Sequence, residues 1–155
     1  MKNKKNNKGF SLVELIVVVA IMAVLVGVLA PAYLSYVEKS RLQKDNSAIA
    51  EVCAAIQVAV ADEECYDEVT DTEAKVATIT KANGVVYEST PANITADVAK
   101  VVAAGNAKLT SKTYASSSVT VSVVLDGTNV KVVVDGYVSE PGASVANDVV
   151  YPTGF

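Results

Sequence analysis

The feature that most constrains this chain is an apolar stretch near its N-terminus. From Leu15 to Leu34 it runs for 20 residues without a charged side chain. As an α-helix this stretch would be about 30 Å long, which is the thickness of the hydrocarbon core of a bilayer. The sequence therefore predicts a membrane-spanning helix to which the rest of the chain is attached.

The charges on either side of this stretch are unequal. The first eight residues, MKNKKNNK, contain four of the 13 basic residues and no acidic one, so nine basic residues remain from residue 10 onward, against 17 acidic residues. Lysines ahead of a spanning helix favour a cytoplasmic N-terminus and export of the C-terminal part of the chain. The acidic remainder argues against nucleic acid as the partner of the folded part.

A secretory signal peptide is the first alternative for such an N-terminus. The apolar stretch is longer than an ordinary signal-peptide core, and no A-x-A-like cleavage site closes it. We therefore expect the segment to stay in the mature protein.

The helical pattern continues beyond the length of a bilayer. Residues 32–64 contain no Gly and no Pro, and a polar belt from Glu38 to Asn46 leads into an apolar stripe. The stripe recurs every three or four residues, as expected of an amphipathic helix. Its members are Ile49, Val52, Cys53, Ile56, Ala59 and Val60. We predict one helix of about 50 residues from about Ser11 to about Asp62, with residues 10–37 as its membrane half and residues 38–62 as its amphipathic half.

The next segment of the chain is strongly acidic. Residues 62–73 hold seven acidic side chains, and such crowding favours a solvated loop. A calcium site is the alternative, but the spacing does not match an EF-hand loop. Beyond it we predict a short helix or turn over residues 73–83, a strand over 84–89, and a helix capped by Asn93 or Thr95 that ends at Gly105.

The C-terminal third changes to a period of two. SVTVSVVL and NVKVVVDGYV alternate β-branched with small or polar residues, and Asp126-Gly127-Thr128 joins them with a hairpin signal. VVYPTGF is predicted to be an edge strand stopped by Pro152. The fold class is therefore α+β. We expect a long N-terminal helix packed on a C-terminal antiparallel sheet, with residues 63–155 as a globular head.

The chain has two cysteines and no histidine. Without histidine the commonest general base and the commonest metal ligand are missing, so we predict no enzyme activity, metal site or cofactor. On one straight helix Cys53 and Cys65 would lie about 18 Å apart, too far for a disulfide. We predict two unbridged thiols, with Cys53 buried on the apolar stripe.

The junction KGFSLVEL, residues 8–15, resembles the class III signal of type IV pilins. The family pattern is a short basic leader ending in Gly, then Phe, a few uncharged residues, and Glu five residues after the cleavage point. Gly9, Phe10 and Glu14 occupy these places, and the apolar helix follows. The likeness is close over residues 1 to about 36. Many pilins close a C-terminal loop with a disulfide, whereas the last ninety residues here contain no Cys, so backbone pairing must substitute.

This resemblance implies a processing and assembly route. A prepilin peptidase in the membrane would remove the leader, residues 1–9, by cutting between Gly9 and Phe10, and would methylate the new Phe10 amine. The subunit would wait in the membrane with its head outside. An assembly ATPase and a platform protein would then draw it into a homopolymeric helical filament at the cell surface. Adhesion, twitching motility and biofilm formation are the uses that the family implies.

Glu14 is the unusual charge of this segment. A carboxylate inside a bilayer costs roughly 2.5–3.5 kcal/mol on insertion scales. One interpretation is that Glu14 reaches back to water or is protonated. The other is that it pairs with the Phe10 amine of its own or a neighbouring chain after cleavage, which would fix the axial register of a filament.

Gly27 and Pro31 lie one helical turn apart. Proline removes the hydrogen bond to the Gly27 carbonyl and crowds it, which weakens the helix there. The resemblance to pilins implies that this segment bends or unwinds when subunits pack.

Two other functions remain open at this point. A major pseudopilin of a type II secretion or DNA-uptake system has the same kind of N-terminus, and intact Glu14 does not separate it from a pilin. A single-span protein with an extracellular binding head is the alternative from a different class.

Overall fold

The computed structural model describes residues 9–114 and 117–151, with the side chain of Tyr151 left out. Residues 1–8 of the predicted leader, and the strand stop predicted at Pro152, lie outside the described residues. The chain divides into an N-terminal unit, residues 1–37, and a C-terminal unit, residues 38–155.

One helix, α1, extends from Leu12 to Val60 over 49 residues. Its sequence has no residue that ends a helix apart from Pro31, and the helix continues through that position. The predicted long N-terminal helix is confirmed, and its end lies two residues before the predicted one.

Seven further elements follow α1. They are α2 (Glu63–Tyr66), β1 (Ala74–Thr80), β2 (Gly84–Tyr87), α3 (Ala92–Val101), β3 (Val119–Asp126), β4 (Asn129–Asp135) and β5 (Val149–Tyr151).

The strands form one antiparallel sheet in the order β2-β1-β3-β4-β5. The predicted hairpin is the β3–β4 pair, in which Asp126 is paired with Asn129 across a two-residue loop. Gly127 in that loop has φ +67°, a conformation that favours glycine. β5 pairs with β4 at one edge of the sheet, so backbone pairing holds the C-terminal region without a disulfide.

The core of the C-terminal unit lies between the second half of α1, α3 and one face of the sheet. Every predicted member of the α1 stripe is buried, with Ile49, Val52 and Ile56 at 0% exposure. These side chains join one cluster with residues of the strands, such as Val121 and Val132. The predicted α+β fold is therefore confirmed.

The prediction of a short helix or turn over residues 73–83 is wrong. This segment contains β1, and the turn is confined to the residues between β1 and β2. The register of β1 against β3 shifts between Lys75 and Ala77, which makes Val76 the extra residue of a β-bulge. Both Val76 and Ala77 are buried, so the bulge removes the two-residue alternation that identifies a strand.

The predicted cap and end of the next helix are also wrong. α3 begins at Ala92 and ends at Val101, before Gly105. Neither Asn93 nor Thr95 caps it with a side chain, since Thr95 lies inside the helix and its hydroxyl donates to the Ala92 carbonyl. The carboxylate of Glu68 accepts the Asn93 amide at 2.8 Å instead. A cap supplied from 25 residues away is invisible to rules that read neighbouring residues.

The acidic segment, residues 62–73, is only partly the loop that was predicted. Its first residues form α2, a single turn capped by the Asp62 carboxylate, which accepts the Glu64 amide. Six of its seven acidic side chains are exposed, and Glu68 is half-buried.

Candidate functional site

The Gly9–Phe10 peptide bond lies ahead of α1 in a non-helical segment. The Phe10 side chain is 92% exposed. A Cβ added at Gly9 would meet no atom of the described residues within 4 Å, so that part of the chain does not crowd the junction. An exposed and uncrowded peptide bond is what a protease active site requires.

The side chain of Glu14 closes the first turn of α1, as the glutamate of a capping box does. The Ser11 amide donates to Glu14 Oε2 at 2.8 Å, while the Ser11 carbonyl accepts the Leu15 amide at 3.2 Å. A Glu three residues after a Ser is the sequence signature of this arrangement, and a negative charge at a helix N-terminus is favourable. In the uncut chain Glu14 therefore has a hydrogen-bond donor of its own, a role that the sequence analysis missed.

The N-terminal part of α1 carries its apolar side chains on the outside. Large apolar residues from Leu12 to Leu34 are each about half exposed or more. An 18-residue window of this helix has mean hydropathy 3.1, and none of it is buried within the chain. By length and composition this helix can cross a membrane.

Gly27 and Pro31 lie in this apolar part, where the helix is continuous. No atom outside the backbone of α1 lies within 4 Å of a Cβ added at Gly27. A bend or local unwinding on subunit packing stays a prediction.

Comparison with known proteins places this N-terminus in a recognised group. Residues 4–30 match the family model described as the prokaryotic N-terminal methylation motif. Two sequences of the type IV major fimbrial protein FimA from Dichelobacter nodosus are 34% identical over 65 residues and 36% identical over 59 residues. Over part of its length the chain is therefore similar to type IV fimbrial proteins.

The likeness is limited to part of each protein. The two alignments cover 42% and 38% of this chain, and 41% and 38% of the fimbrial proteins. The chain thus spans about two fifths of the length of these curated relatives. No solved structure matches it significantly.

In the C-terminal unit the polar belt of α1 has a structural task. Asp45 is 1% exposed, and its carboxylate accepts the Thr110 amide at 2.9 Å, the Thr110 hydroxyl at 2.9 Å and the Ser111 amide at 2.7 Å. Seven residues earlier, on the same face, Glu38 accepts the Ser111 hydroxyl at 2.6 Å and the Lys112 amide. These two carboxylates attach residues 110–113 to the helix.

The electrostatics of Glu38 agree with this task. Partial burial by itself would raise the pKa of Glu38. The Ser111 hydroxyl, the amides of Lys112 and Thr113, and the nearby Arg41 outweigh it, so the pKa lies below the ordinary 4.5. The carboxylate is therefore charged at neutral pH while it binds the loop.

A second polar group ties α1 to the end of the sheet. Tyr114 is fully buried, and its hydroxyl donates to Asn46 Oδ1 at 3.1 Å and accepts the Val138 amide at 2.9 Å. The Asn46 amide donates to the Val138 carbonyl at 3.1 Å. Three distant segments of the chain thus satisfy each other's polar atoms inside the core.

Both cysteines are free and buried. Burial raises the pKa of the Cys53 thiol to about 12. Burial, reinforced by the nearby Asp97 carboxylate, raises the pKa of the Cys65 thiol to about 11. Both side chains are thus neutral thiols at physiological pH and weak nucleophiles.

The predicted site residues separate into two groups. Gly9, Phe10 and Glu14 lie together around the start of α1, where Glu14 binds the amide next to Phe10. Gly27 and Pro31 lie well along the helix. The binding of residues 110–113 by Glu38 and Asp45 was not predicted, and the only sequence feature that could have indicated it is the seven-residue spacing of the two carboxylates.

Proposed function

We propose that this chain is a structural subunit of a type IV pilus. The proposal rests on one coincidence, that of a basic leader, the Gly9–Phe10 bond, Glu14 and a long apolar helix in a single chain with an α+β fold. The apolar helix is the membrane anchor of the subunit before assembly and the core of the filament afterwards.

Processing is the first step that we propose. A prepilin peptidase cuts between Gly9 and Phe10 and methylates the new amine of Phe10. The exposure of Phe10 and the open space around Gly9 support access to this bond. Removal of residues 1–9 also removes four lysines, which would otherwise hold the helix at the cytoplasmic face of the membrane.

Glu14 then changes its partner. Before cleavage it accepts the Ser11 amide at 2.8 Å. Cleavage creates a cationic amine at Phe10, one turn away, which binds a carboxylate more strongly than a neutral amide does. In a filament core without water, pairing of Glu14 with such an amine fixes axial register, because a slipped subunit leaves both charges unpaired.

The other partners that we propose for this chain act in filament assembly. The subunits form a homopolymeric helical filament at the cell surface, driven by an assembly ATPase and a membrane platform protein. The chain itself is the substrate of an enzyme and has no catalytic role. Adhesion, motility and biofilm formation are the uses that we propose for such a filament.

Two substitutions of Glu14 test this function. Glu14→Gln keeps an oxygen that can accept the Ser11 amide, as in a capping box, but loses the charge, whereas Glu14→Ala loses both. We expect both variants to be cut after Gly9, and both to yield at least about tenfold fewer filaments in a sheared cell fraction, which corresponds to the loss of about 1.4 kcal/mol. Wild-type filament yield from Glu14→Gln would refute the charge pairing.

A further inference from the structure

A cluster of four basic side chains covers one hollow on the surface of the C-terminal unit. Arg41, Lys44, Lys81 and Lys108 line this open hollow of about 590 Å³. All four are exposed, and they come from α1, the β1–β2 turn and the loop after α3. They amount to four of the nine basic residues that follow residue 9, so the cluster is a concentration of positive charge on an acidic protein.

The charges of this basic cluster are not neutralised by neighbours in the part of the chain that the structure describes. The salt bridges there are Lys100–Asp97 and Lys131–Asp126, and neither involves the cluster. Arg41 interacts electrostatically with Glu38, whose carboxylate binds Ser111. The three lysines of the cluster have no acidic partner among the described residues.

The acidic segment, residues 62–73, offers the opposite charge. Asp62 and Glu68 are used within the fold, as caps of α2 and α3. Asp67, Asp71 and Glu73 are exposed, and their side chains form no hydrogen bond or salt bridge with the described residues. This surface therefore has at least three carboxylates available for a partner.

The two surfaces are too far apart to neutralise each other within one chain. Lys44 lies 16 residues before Val60, the last residue of α1, so the helix separates them by about 24 Å. At physiological ionic strength charges are screened over about 8 Å. Each surface can therefore bind its complement only on another molecule.

We propose that the basic cluster of one subunit docks on the acidic segment of a second copy of this chain. This inference rests on the proposed filament function, and it names the contact between the exposed parts of neighbouring subunits. Two different surfaces that complement each other give a head-to-tail contact, and repeated head-to-tail contacts build open helical filaments. The contact also offsets the mutual repulsion of acidic subunits and sets their orientation.

Charge reversal tests the contact. Lys44→Glu/Lys81→Glu reverses two charges of the cluster, and Lys75→Glu/Lys112→Glu changes the net charge equally at exposed lysines that do not line the hollow. We expect the first variant to be processed normally, to unfold at the wild-type temperature and to yield about tenfold fewer sheared filaments. A tenfold loss corresponds to about 1.4 kcal/mol of binding free energy per contact. We expect the second to stay within about twofold of wild type, since isolated surface charges contribute little.

A charge swap separates the contact from net charge. Adding Asp71→Lys/Glu73→Lys returns either double variant to the wild-type net charge. We expect these two added substitutions to restore filament formation by the Lys44→Glu/Lys81→Glu variant. We expect the same two substitutions to lower the filament yield of the Lys75→Glu/Lys112→Glu variant. Equal yields from all variants would overturn the inference.

One other outcome would also overturn it. If Lys44→Glu/Lys81→Glu made normal filaments that no longer retained double-stranded DNA, the cluster would be a polyanion site and not a subunit contact. In both of these outcomes the wild-type chain still forms filaments, so the proposed function would stand although this inference had failed.

Discussion

Leu25 and Ile56 lie on the same helix, yet 54% of Leu25 is exposed and none of Ile56 is. Residues of the N-terminal unit present apolar side chains all round, whereas the part of α1 in the C-terminal unit buries one stripe against its own chain. The first arrangement is stable only in lipid or against other subunits, while the second is satisfied within the molecule. One helix thus carries an apolar surface that its own chain leaves uncovered and, further along, a stripe that forms the core of a folded unit.

The largest effect is expected where the N-terminal unit would meet the proposed prepilin peptidase. A Cβ at Gly9 has open space in this chain, so Gly9→Val is compatible with the fold. We expect cleavage to be abolished, since the added side chain blocks close approach of the backbone to a protease. Intact mass of the membrane-bound protein gives the result.

Gly27→Ala is the matched control, since Gly27 also has open space around it. It should be cut as the wild type is. Normal cleavage of Gly9→Val would show that the junction is not recognised through this glycine.

The next largest effect concerns the C-terminal unit alone. Asp45→Ala leaves the half-buried amide of Thr110 and the buried amide of Ser111 without an acceptor. We expect the free energy of unfolding to fall by about 3 kcal/mol, because each unsatisfied donor away from water costs about 1–3 kcal/mol. Denaturant unfolding of the detergent-solubilised chain, followed by the near-ultraviolet circular dichroism of its tyrosines, measures this loss.

Asp67→Ala is the control for that experiment, since Asp67 is exposed. It should change stability by less than about 0.5 kcal/mol. Similar losses from both variants would contradict the structural role assigned to Asp45.

The smallest effect concerns Glu38 and is a dependence on pH. Hydrogen bonds hold its pKa below 4.5, so protonation weakens the folded state more than the unfolded chain. The stabilisation is fully present above pH 4.5 and is lost as pH falls through the folded pKa. Because Glu38 is partly exposed, we expect its ionisation to contribute less than about 1 kcal/mol to the free energy of unfolding.

Glu38→Gln should lack this component, so its stability should vary less than the wild type's between pH 5 and pH 3. Identical pH profiles for the two proteins would show that Glu38 is not bound as described.

Features set by neighbouring residues could be predicted from the sequence. The α1 stripe follows from spacing of three and four residues, and the β3–β4 hairpin from Asp126-Gly127 between alternating segments. The hydrogen bond from the Ser11 amide to Glu14 could also have been predicted, since Ser and Glu stand three apart. It was missed because Glu14 was considered only as a charge in a membrane.

Features set by distant residues could not be predicted. The burial of Asp45 depends on a loop 65 residues away, and the cap of α3 depends on Glu68. The strand β1 was not predicted, because the bulge at Val76 places two successive side chains in the core and breaks the two-residue alternation. In each case tertiary contacts override the local pattern.

The central claim is that the Gly9–Phe10 bond is cut and that the product forms a filament. The most direct test is the mass and N-terminal sequence of this protein in filaments sheared from cells that express it. The account predicts a chain that begins at Phe10 with a methyl group on its amine. An uncut chain, or a chain that begins elsewhere, would contradict it.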